Sequence, residues 1–138
     1  MLAVSVNVSA TNLLDEGFTG LIGGALARYG LPAEALVREI AETCIISDHE
    51  RSRRVIEELR DLGVVMSVDD FGAGFTSLAS LSDLAVGELK LDRTFIAGPG
   101  IAERGRDLGL VRSTIELGHA LGLRVVTEGI EDRETLEL

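Results

Sequence analysis

Acidic and amide side chains recur where apolar runs of the sequence end. Asp69 and Asp70 are the clearest case. These adjacent carboxylates follow the apolar run 63–66, with two residues in between. Two like charges at the end of a buried strand are costly, so either they cap a solvated turn or a cation lies between them. Other polar residues at comparable places are Asn7, Glu39, Lys90, Asp92, Glu128 and Glu131.

These residue types favour a hard divalent cation. Carboxylate and amide oxygens suit Mg²⁺ or Mn²⁺ better than zinc. One aspartate of an adjacent pair can bridge two ions while its neighbour holds the second, and two ions about 3.5–4 Å apart can activate a water for attack on a phosphodiester. Lys90 would add a positive charge suited to a phosphate oxygen. The histidines, His49 and His119, lie in helical patterns rather than at strand ends.

Each residue also has a purely structural interpretation. The two aspartates could accept hydrogen bonds from turn amides, Asn7 could simply end a strand, and Lys90 could form a salt bridge. Glu39 and Glu128 are harder to explain in this way, because carboxylates on otherwise apolar strands need partners. The convergence of acidic strand ends with one amide and one lysine therefore favours a metal site.

Five β-rich segments alternate with longer amphipathic segments. The predicted strands span residues 3–9, 35–41, 64–70, 88–95 and 124–128. The predicted helices span residues 12–29, 48–62, 77–83 and 101–121, and a last one starts at Asp132. The helical pattern is strongest where apolar residues recur at steps of three and four, within 53–62.

This alternation predicts a parallel sheet with right-handed crossovers, either an open doubly wound sheet or part of a (β/α)8 barrel. Residues two apart, such as Ser5 with Asn7 and Lys90 with Asp92, fall on one polar phase of each strand, and the opposite phase is mostly apolar. The polar residues lie at the carboxyl ends of the strands, which converge on one mouth in a barrel. The sequence therefore predicts an α/β fold, a partial (β/α)8 TIM-type barrel of about five consecutive β/α units, too few to close.

The composition limits the kinds of partner that the protein can be expected to bind. A chain of 138 residues predicts a single domain, and its net charge of −10 argues against a nucleic-acid polymer or an anionic membrane as the main partner. No run approaches a membrane span, and the N-terminus lacks the pattern of a signal peptide. The lone Cys44 excludes an intramolecular disulfide. These features predict a soluble, cytoplasmic protein.

Five motifs occur in a fixed order along the chain. They are VNVS at 6–9, EIAET at 39–43, DDFGAGFTSL at 69–78, LKLDRTFI at 89–96 and VTEGIE at 126–131. In this order and spacing the chain resembles EAL domains over essentially its whole length. EAL domains are bacterial phosphodiesterases that linearise cyclic di-GMP on a (β/α)8-type barrel with two Mg²⁺ or Mn²⁺ ions. The resemblance implies a hydrolase of second-messenger signalling that converts cyclic di-GMP to linear pGpG.

The resemblance also implies residue roles. Asn7, Glu39 and Asp69 would ligate metal, and Asp69 with Asp70 would serve the second ion. The predicted catalytic residues are Lys90, which would orient the attacking water or a phosphate oxygen, and Glu128, the candidate general base. The supporting or substrate-binding residues would be Asp92, Glu131, and Glu42, which would brace the loop 73–77.

The chain departs from the family pattern in ways that bear on activity. The first barrel strand with the metal-ligating Glu-Ala-Leu triplet, and a later strand with a glutamine, have no counterpart in the sequence. Glu34-Ala35-Leu36 matches the triplet only by coincidence, because it begins a different strand and places Glu34 near the wrong end of the barrel. Residues 1–138 are therefore expected to form a single incomplete EAL domain with impaired activity. Arg38 replaces an apolar residue, and we expect it to reach toward solvent or to loosen the core.

Three functional hypotheses follow. The chain is a metal-dependent cyclic di-GMP phosphodiesterase, a catalytically inactive EAL-like module that binds cyclic di-GMP or a protein partner, or a truncated product of a longer gene that is not active alone. A full-length parent would be expected to carry a sensory or GGDEF domain. A homodimer contact, if the protein dimerises, would lie at the loop 73–77 and the helix beyond it.

Overall fold

Five parallel strands form one sheet in the computed structural model of the protein, which describes residues 3–71, 81–93, 101–130 and 133–136. The strands are β1 (Val4–Val8), β2 (Leu36–Ala41), β3 (Val65–Phe71), β4 (Glu88–Leu91) and β5 (Arg124–Thr127). Each strand pairs with the next one along the chain, in the order β1-β2-β3-β4-β5. A doubly wound sheet would reverse this order at a switch point. The sequential order therefore confirms the predicted α/β fold of partial-barrel type.

Helices connect the strands in the predicted alternation. They are α1 (Ala10–Leu14), α2 (Phe18–Tyr29), α3 (Glu42–Ser47), α4 (His49–Asp61), α5 (Ile101–Ala120) and α6 (Arg133–Leu136), with a 3-10 turn at Ala33–Ala35. Most of the predicted helix 77–83, and the end of the predicted strand 88–95, lie outside the described residues. Where the structure describes the chain, none of these helices has the length and apolarity needed to cross a membrane.

The predicted helix 12–29 is wrong in one respect, because it is two helices. The first begins at a capping box in which Ser9 Oγ accepts from the Asn12 amide and Asn12 Oδ1 accepts from the Ser9 amide. It ends at Asp15, whose carboxylate accepts a hydrogen bond from the Gly17 amide at 2.8 Å. That local turn competes with helical hydrogen bonding and separates α1 from α2.

The sequence prediction also missed α3, which follows β2 without a loop. Six residues are too few to show a helical period. The structure separates α3 from α4 at Asp48, whose side chain accepts a hydrogen bond from the Arg51 amide at 3.2 Å and thereby caps the start of α4. The sharp start of α3 places its first residue, Glu42, directly beyond the carboxyl end of β2.

Apolar side chains on one face of the sheet pack against the helices. Ile40 and Val68 from the strands meet Ile56 and Leu59 from α4 in the core, and all four are fully buried. Burying a side chain of this size contributes about 1.5–3 kcal/mol relative to leaving it exposed. Because strand side chains alternate between faces, this core fixes which residues turn to the other face. The polar phase of the strands is thereby directed away from the helices.

Two glycines of α5, which packs on β5, should respond in opposite ways when each is replaced by alanine. A Cβ added at Gly118 would lie 2.5 Å from Val125 Cγ2, whereas a Cβ added at Gly109 meets nothing within 4 Å. We expect G109A to raise the free energy of unfolding by up to about 1 kcal/mol through helix propensity. G118A should lower it by about 1 kcal/mol, since overpacking outweighs that gain. Thermal unfolding followed by circular dichroism measures both, and equal stabilisation by the two substitutions would contradict the close contact.

Candidate active site

Four of the predicted site residues meet at the carboxyl ends of neighbouring strands. Lys90 Nζ lies 2.6 Å from Glu128 Oε1, 3.1 Å from Glu39 Oε1 and 3.6 Å from Asp69 Oδ1. Three carboxylates from three different segments therefore surround one ammonium. Lys90 is the only lysine in the chain, and its side chain is 13% exposed. These residues therefore meet at one edge of the sheet, as the sequence predicts.

The carboxylates hold Lys90 in its charged form. Partial burial opposes the charge and lowers the pKa of Lys90. Hydrogen bonds to Glu128 and Glu39, together with the negative charges of Asp69 and Glu39, outweigh that effect, so the net pKa lies above the ordinary value for lysine. The ammonium is therefore a permanent positive charge at neutral pH, and it offsets part of the repulsion among the acids.

A β-bulge accounts for the adjacent aspartates. The β3–β4 register pairs Val68 with Leu89 and then Phe71 with Leu91, so Asp69 and Asp70 together lie opposite Lys90. A bulge adds one residue to a strand and redirects its side chains. Asp70 has φ 54° and is the only non-glycine residue with positive φ within 3–71, 81–93, 101–130 and 133–136. Its amide donates to Asp69 Oδ1 at 3.0 Å.

Asp70 lies in a field of like charge. Its pKa is raised first by partial desolvation, then by the charges of Asp69 and Asp92, by a hydrogen bond with Asp92 and by the charge of Glu128. Asp70 is exposed, so solvent screens part of the repulsion from these neighbouring carboxylates. The site thus contains more acidic groups than Lys90 can balance, which is the electrostatic condition for binding a cation.

The other predicted residues fall in different places. Asn7 lies on β1 opposite Glu39 in the β1–β2 register and is exposed. Glu42 is 1% exposed at the start of α3, and Asp92 follows β4 and interacts with Asp70. Glu131 and the loop 73–77 that Glu42 would brace lie outside the described residues.

Glu34 lies just before the amino end of β2. It is an exposed residue of the 3-10 turn that precedes β2, whereas Glu39 is near the carboxyl end of β2. The structure therefore agrees with the interpretation of Glu34-Ala35-Leu36 as a coincidental triplet. Glu39, and not Glu34, reaches Lys90.

Sequence reasoning missed a second polar layer beneath these residues. Ser67 and Glu88 are register partners and are both buried. Glu88 forms an ion pair with Arg124 on β5. Ser67 Oγ is fully buried and has no hydrogen-bond partner in the part of the chain that the structure describes. The only available signal was that Ser67 shares the phase of Asp69, two residues further along the strand.

The donor set fits a hard divalent cation. Oxygen atoms of Asn7, Glu39, Asp69 and Asp70 are the ligand types that Mg²⁺ and Mn²⁺ prefer, and three nearby carboxylates already gather around a positive charge. Among the described residues, no three His, Cys, Asp or Glu side chains stand in a ready coordinating arrangement. The carboxylates are instead directed at the ammonium of Lys90. To hold an ion, these carboxylates would have to turn from the ammonium toward the cation.

Comparison with known protein families identifies the class of protein. A model of the EAL domain matches residues 1–138. The chain therefore belongs to the EAL domain family.

Two relatives and one solved structure make the similarity specific. A protein of Mycobacterium tuberculosis is 42% identical over 130 residues, which cover 93% of this chain and 42% of that protein. The bifunctional diguanylate cyclase/cyclic di-GMP phosphodiesterase MucR of Pseudomonas aeruginosa is 36% identical over 128 residues, 93% of this chain and 18% of MucR. A solved structure of the MucR phosphodiesterase in complex with c-di-GMP has a TM-score of 0.88 at 35% identity, covering 98% of this chain and 59% of that chain. The chain thus spans less than two thirds of each.

The raised pKa of Asp70 predicts a pH-dependent stability. The folded protein binds this proton more tightly than the unfolded chain does, so ionised Asp70 lowers the free energy of unfolding. We expect D70N to raise the Tm at pH 7, because asparagine removes the charge and tolerates positive φ. The gain should shrink as the pH falls from 7 toward about 4, because Asp70 is protonated first in the folded protein, and it should vanish at lower pH, where the wild-type group is protonated in both states.

A matched control separates this effect from general loss of charge. Asp61 lies at the end of α4 beside Arg60 and is exposed. D61N should change the free energy of unfolding by less than about 0.5 kcal/mol. Scanning calorimetry between pH 4 and pH 7 measures both variants. A Tm for D70N below that of the wild type at pH 7 would show that Asp70 stabilises the fold.

Proposed function

We propose that the protein hydrolyses cyclic di-GMP to linear pGpG in a metal-dependent reaction. The observation that carries this proposal is the meeting of three carboxylates from separate segments at Lys90. A cyclic dinucleotide presents two phosphodiesters, and a site that combines a cation-binding carboxylate cluster with a fixed ammonium suits attack on one of them. Membership of the EAL family and similarity to the MucR phosphodiesterase support the same substrate.

The cation would be held by oxygen atoms of this chain. We assign it to Asn7, Glu39, Asp69 and Asp70, with two Mg²⁺ or Mn²⁺ ions in a complete site. When bound, such ions supply Lewis-acid stabilisation of phosphate charge and make a water easier to deprotonate. The backbone bulge places Asp69 and Asp70 together opposite Lys90, which supports assigning both carboxylates to one cation site.

Lys90 and Glu128 would perform the proton and charge chemistry. Glu128 is half exposed and therefore accessible to water and substrate. It is the candidate general base that accepts a proton from the attacking water. Lys90 would hold the water or a phosphate oxygen through its ammonium. Glu42, Asp92 and Glu131 are assigned supporting or substrate-binding roles.

The same proposal includes the cellular location of the reaction and the domains that accompany it. We expect residues 1–138 to act as one domain in the cytoplasm, together with a sensory or GGDEF domain where the full-length protein has one. MucR, whose name pairs a diguanylate cyclase with the phosphodiesterase, illustrates that arrangement. A homodimer contact through the loop 73–77 is proposed on the family resemblance alone.

The second candidate is a module that binds cyclic di-GMP without turnover. The observation that favours it is that the strand-end carboxylates contact Lys90, and that no three His, Cys, Asp or Glu side chains within the described residues stand ready to hold a metal ion. A site of this kind can bind a ligand without holding the ions that hydrolysis requires. The two candidates differ in one measurable property, which is product formation.

Cleavage of cyclic di-GMP is the direct test. We expect Mg²⁺-dependent formation of pGpG, stronger in a version extended at both ends with the corresponding MucR segments than in residues 1–138 alone. In the extended protein E39Q should lower kcat/KM by at least about 10-fold, since even residues that only support a metal ligand contribute 10–100-fold. Product is measured by liquid chromatography.

Glu34 provides the matched control for this experiment. E34Q changes the same residue type in the 3-10 turn that precedes β2, at the end of that strand away from Lys90, and it should leave kcat/KM unchanged. Binding of cyclic di-GMP with no pGpG from either protein would support the binding module. Equal loss of activity in E34Q and E39Q would contradict the proposed site.

A further inference from the structure

Arg38 is a charged residue buried on the helix-facing side of β2. It is 6% exposed, and its register partner on β1 is Val6. The expectation that its side chain reaches solvent is wrong. Its guanidinium carbon lies 5.3 Å from the centroid of the Phe18 ring at the start of α2. Its Nη2 donates a hydrogen bond to the Asn7 carbonyl at 3.2 Å.

These contacts do not fully compensate for burying the guanidinium. Nε has no hydrogen-bond partner within the described residues, and burial lowers the pKa of Arg38 from its ordinary value. An apolar side chain of similar volume at such a place is often as stable or more stable. Packing alone therefore does not explain why β2 carries an arginine here.

The contact with Asn7 suggests what the arginine does. Asn7 lies near the end of β1, opposite Glu39, and β1 is paired only with β2 in the described sheet. The Arg38 guanidinium holds the Asn7 backbone from the helix side, while Asn7 and Glu39 share the phase that faces the site. A shift of this carbonyl would move the side-chain amide on the other face of the strand.

We propose that Arg38 is a positioning residue, and this proposal rests on the proposed cation site. Arg38 holds the Asn7 backbone so that the Asn7 side-chain amide stays beside Glu39. Phe18 completes the arrangement, because its buried ring at the first turn of α2 limits where the guanidinium can lie. Arg38 thereby links β1, β2 and α2 at the point where the first ligand is presented. It acts through Asn7 and not on the substrate.

The side-chain amide of Asn7 is a direct reporter of this role. The chain contains two asparagines, Asn7 and Asn12, and no glutamine, so a ¹⁵N-correlated NMR spectrum shows two side-chain NH₂ pairs. Asn12 belongs to the capping box of α1 and serves as the internal reference. In metal-free R38M we expect the Asn7 pair to move from its wild-type position while the Asn12 pair does not.

Metal affinity is the second readout. R38M should weaken Mn²⁺ binding about 10-fold, within the range found when groups that orient metal ligands are removed, while the Tm stays equal or rises. R38K should not restore the affinity, because lysine lacks the planar guanidinium fork. R53M is the control, since Arg53 pairs with Glu50 and Glu57 on the surface of α4. It should change neither the Asn7 signals nor Mn²⁺ binding.

The two readouts separate the failure of this proposal from the failure of the proposed function. If the wild type binds no Mn²⁺, the cation site is contradicted, and the Asn7 signals alone decide the role of Arg38. If the wild type binds Mn²⁺ and R38M binds it equally, Arg38 does not position the ligand. Unmoved Asn7 signals in R38M, or a lower Tm with unchanged affinity, would likewise overturn the proposal and leave Arg38 a purely structural residue.

Discussion

The contact of one ammonium with three carboxylates is the interaction on which the site depends. Glu39, Asp69 and Glu128 come from different segments, and each would repel the others if Lys90 did not lie between them. Like charges about 4 Å apart in a partly buried setting repel by roughly 4 kcal/mol. A parallel sheet brings such residues together because all its strands end on the same side. The fold therefore concentrates negative charge at one edge, and that edge requires a cation.

The remaining structure can be understood as what holds this charged edge in place. The apolar core on the helix side fixes the face of every strand, which keeps the acids on the other face. The bulge in β3 lets Asp69 and Asp70 share one partner residue on β4. The left-handed backbone at Asp70 is part of that bulge. Such a conformation persists only where the surrounding structure maintains it, and strained residues of this kind cluster at functional sites.

Much of this arrangement could be predicted from the sequence, because it depends on local period and strand direction. The alternation of strands with helices predicted the sheet, and the polar phase predicted that Glu39, Asp69, Lys90 and Glu128 meet. The bulge could not be predicted, since the register between β3 and β4 is a property of two distant segments. The contacts of Arg38 could not be predicted for a similar reason. Its partners, Asn7 and Phe18, are defined only after β1, β2 and α2 have packed.

We propose that the strand-end carboxylates form one cation site around Lys90. Because Lys90 is the only lysine, selective labelling of lysine with ¹³C and ¹⁵N gives a single side-chain NMR signal. We expect a signal displaced from that of free lysine in the metal-free protein, and a saturable further shift on titration with Mg²⁺ that E39Q abolishes. A signal at the position of free lysine that does not respond to Mg²⁺ would contradict a cation site around Lys90.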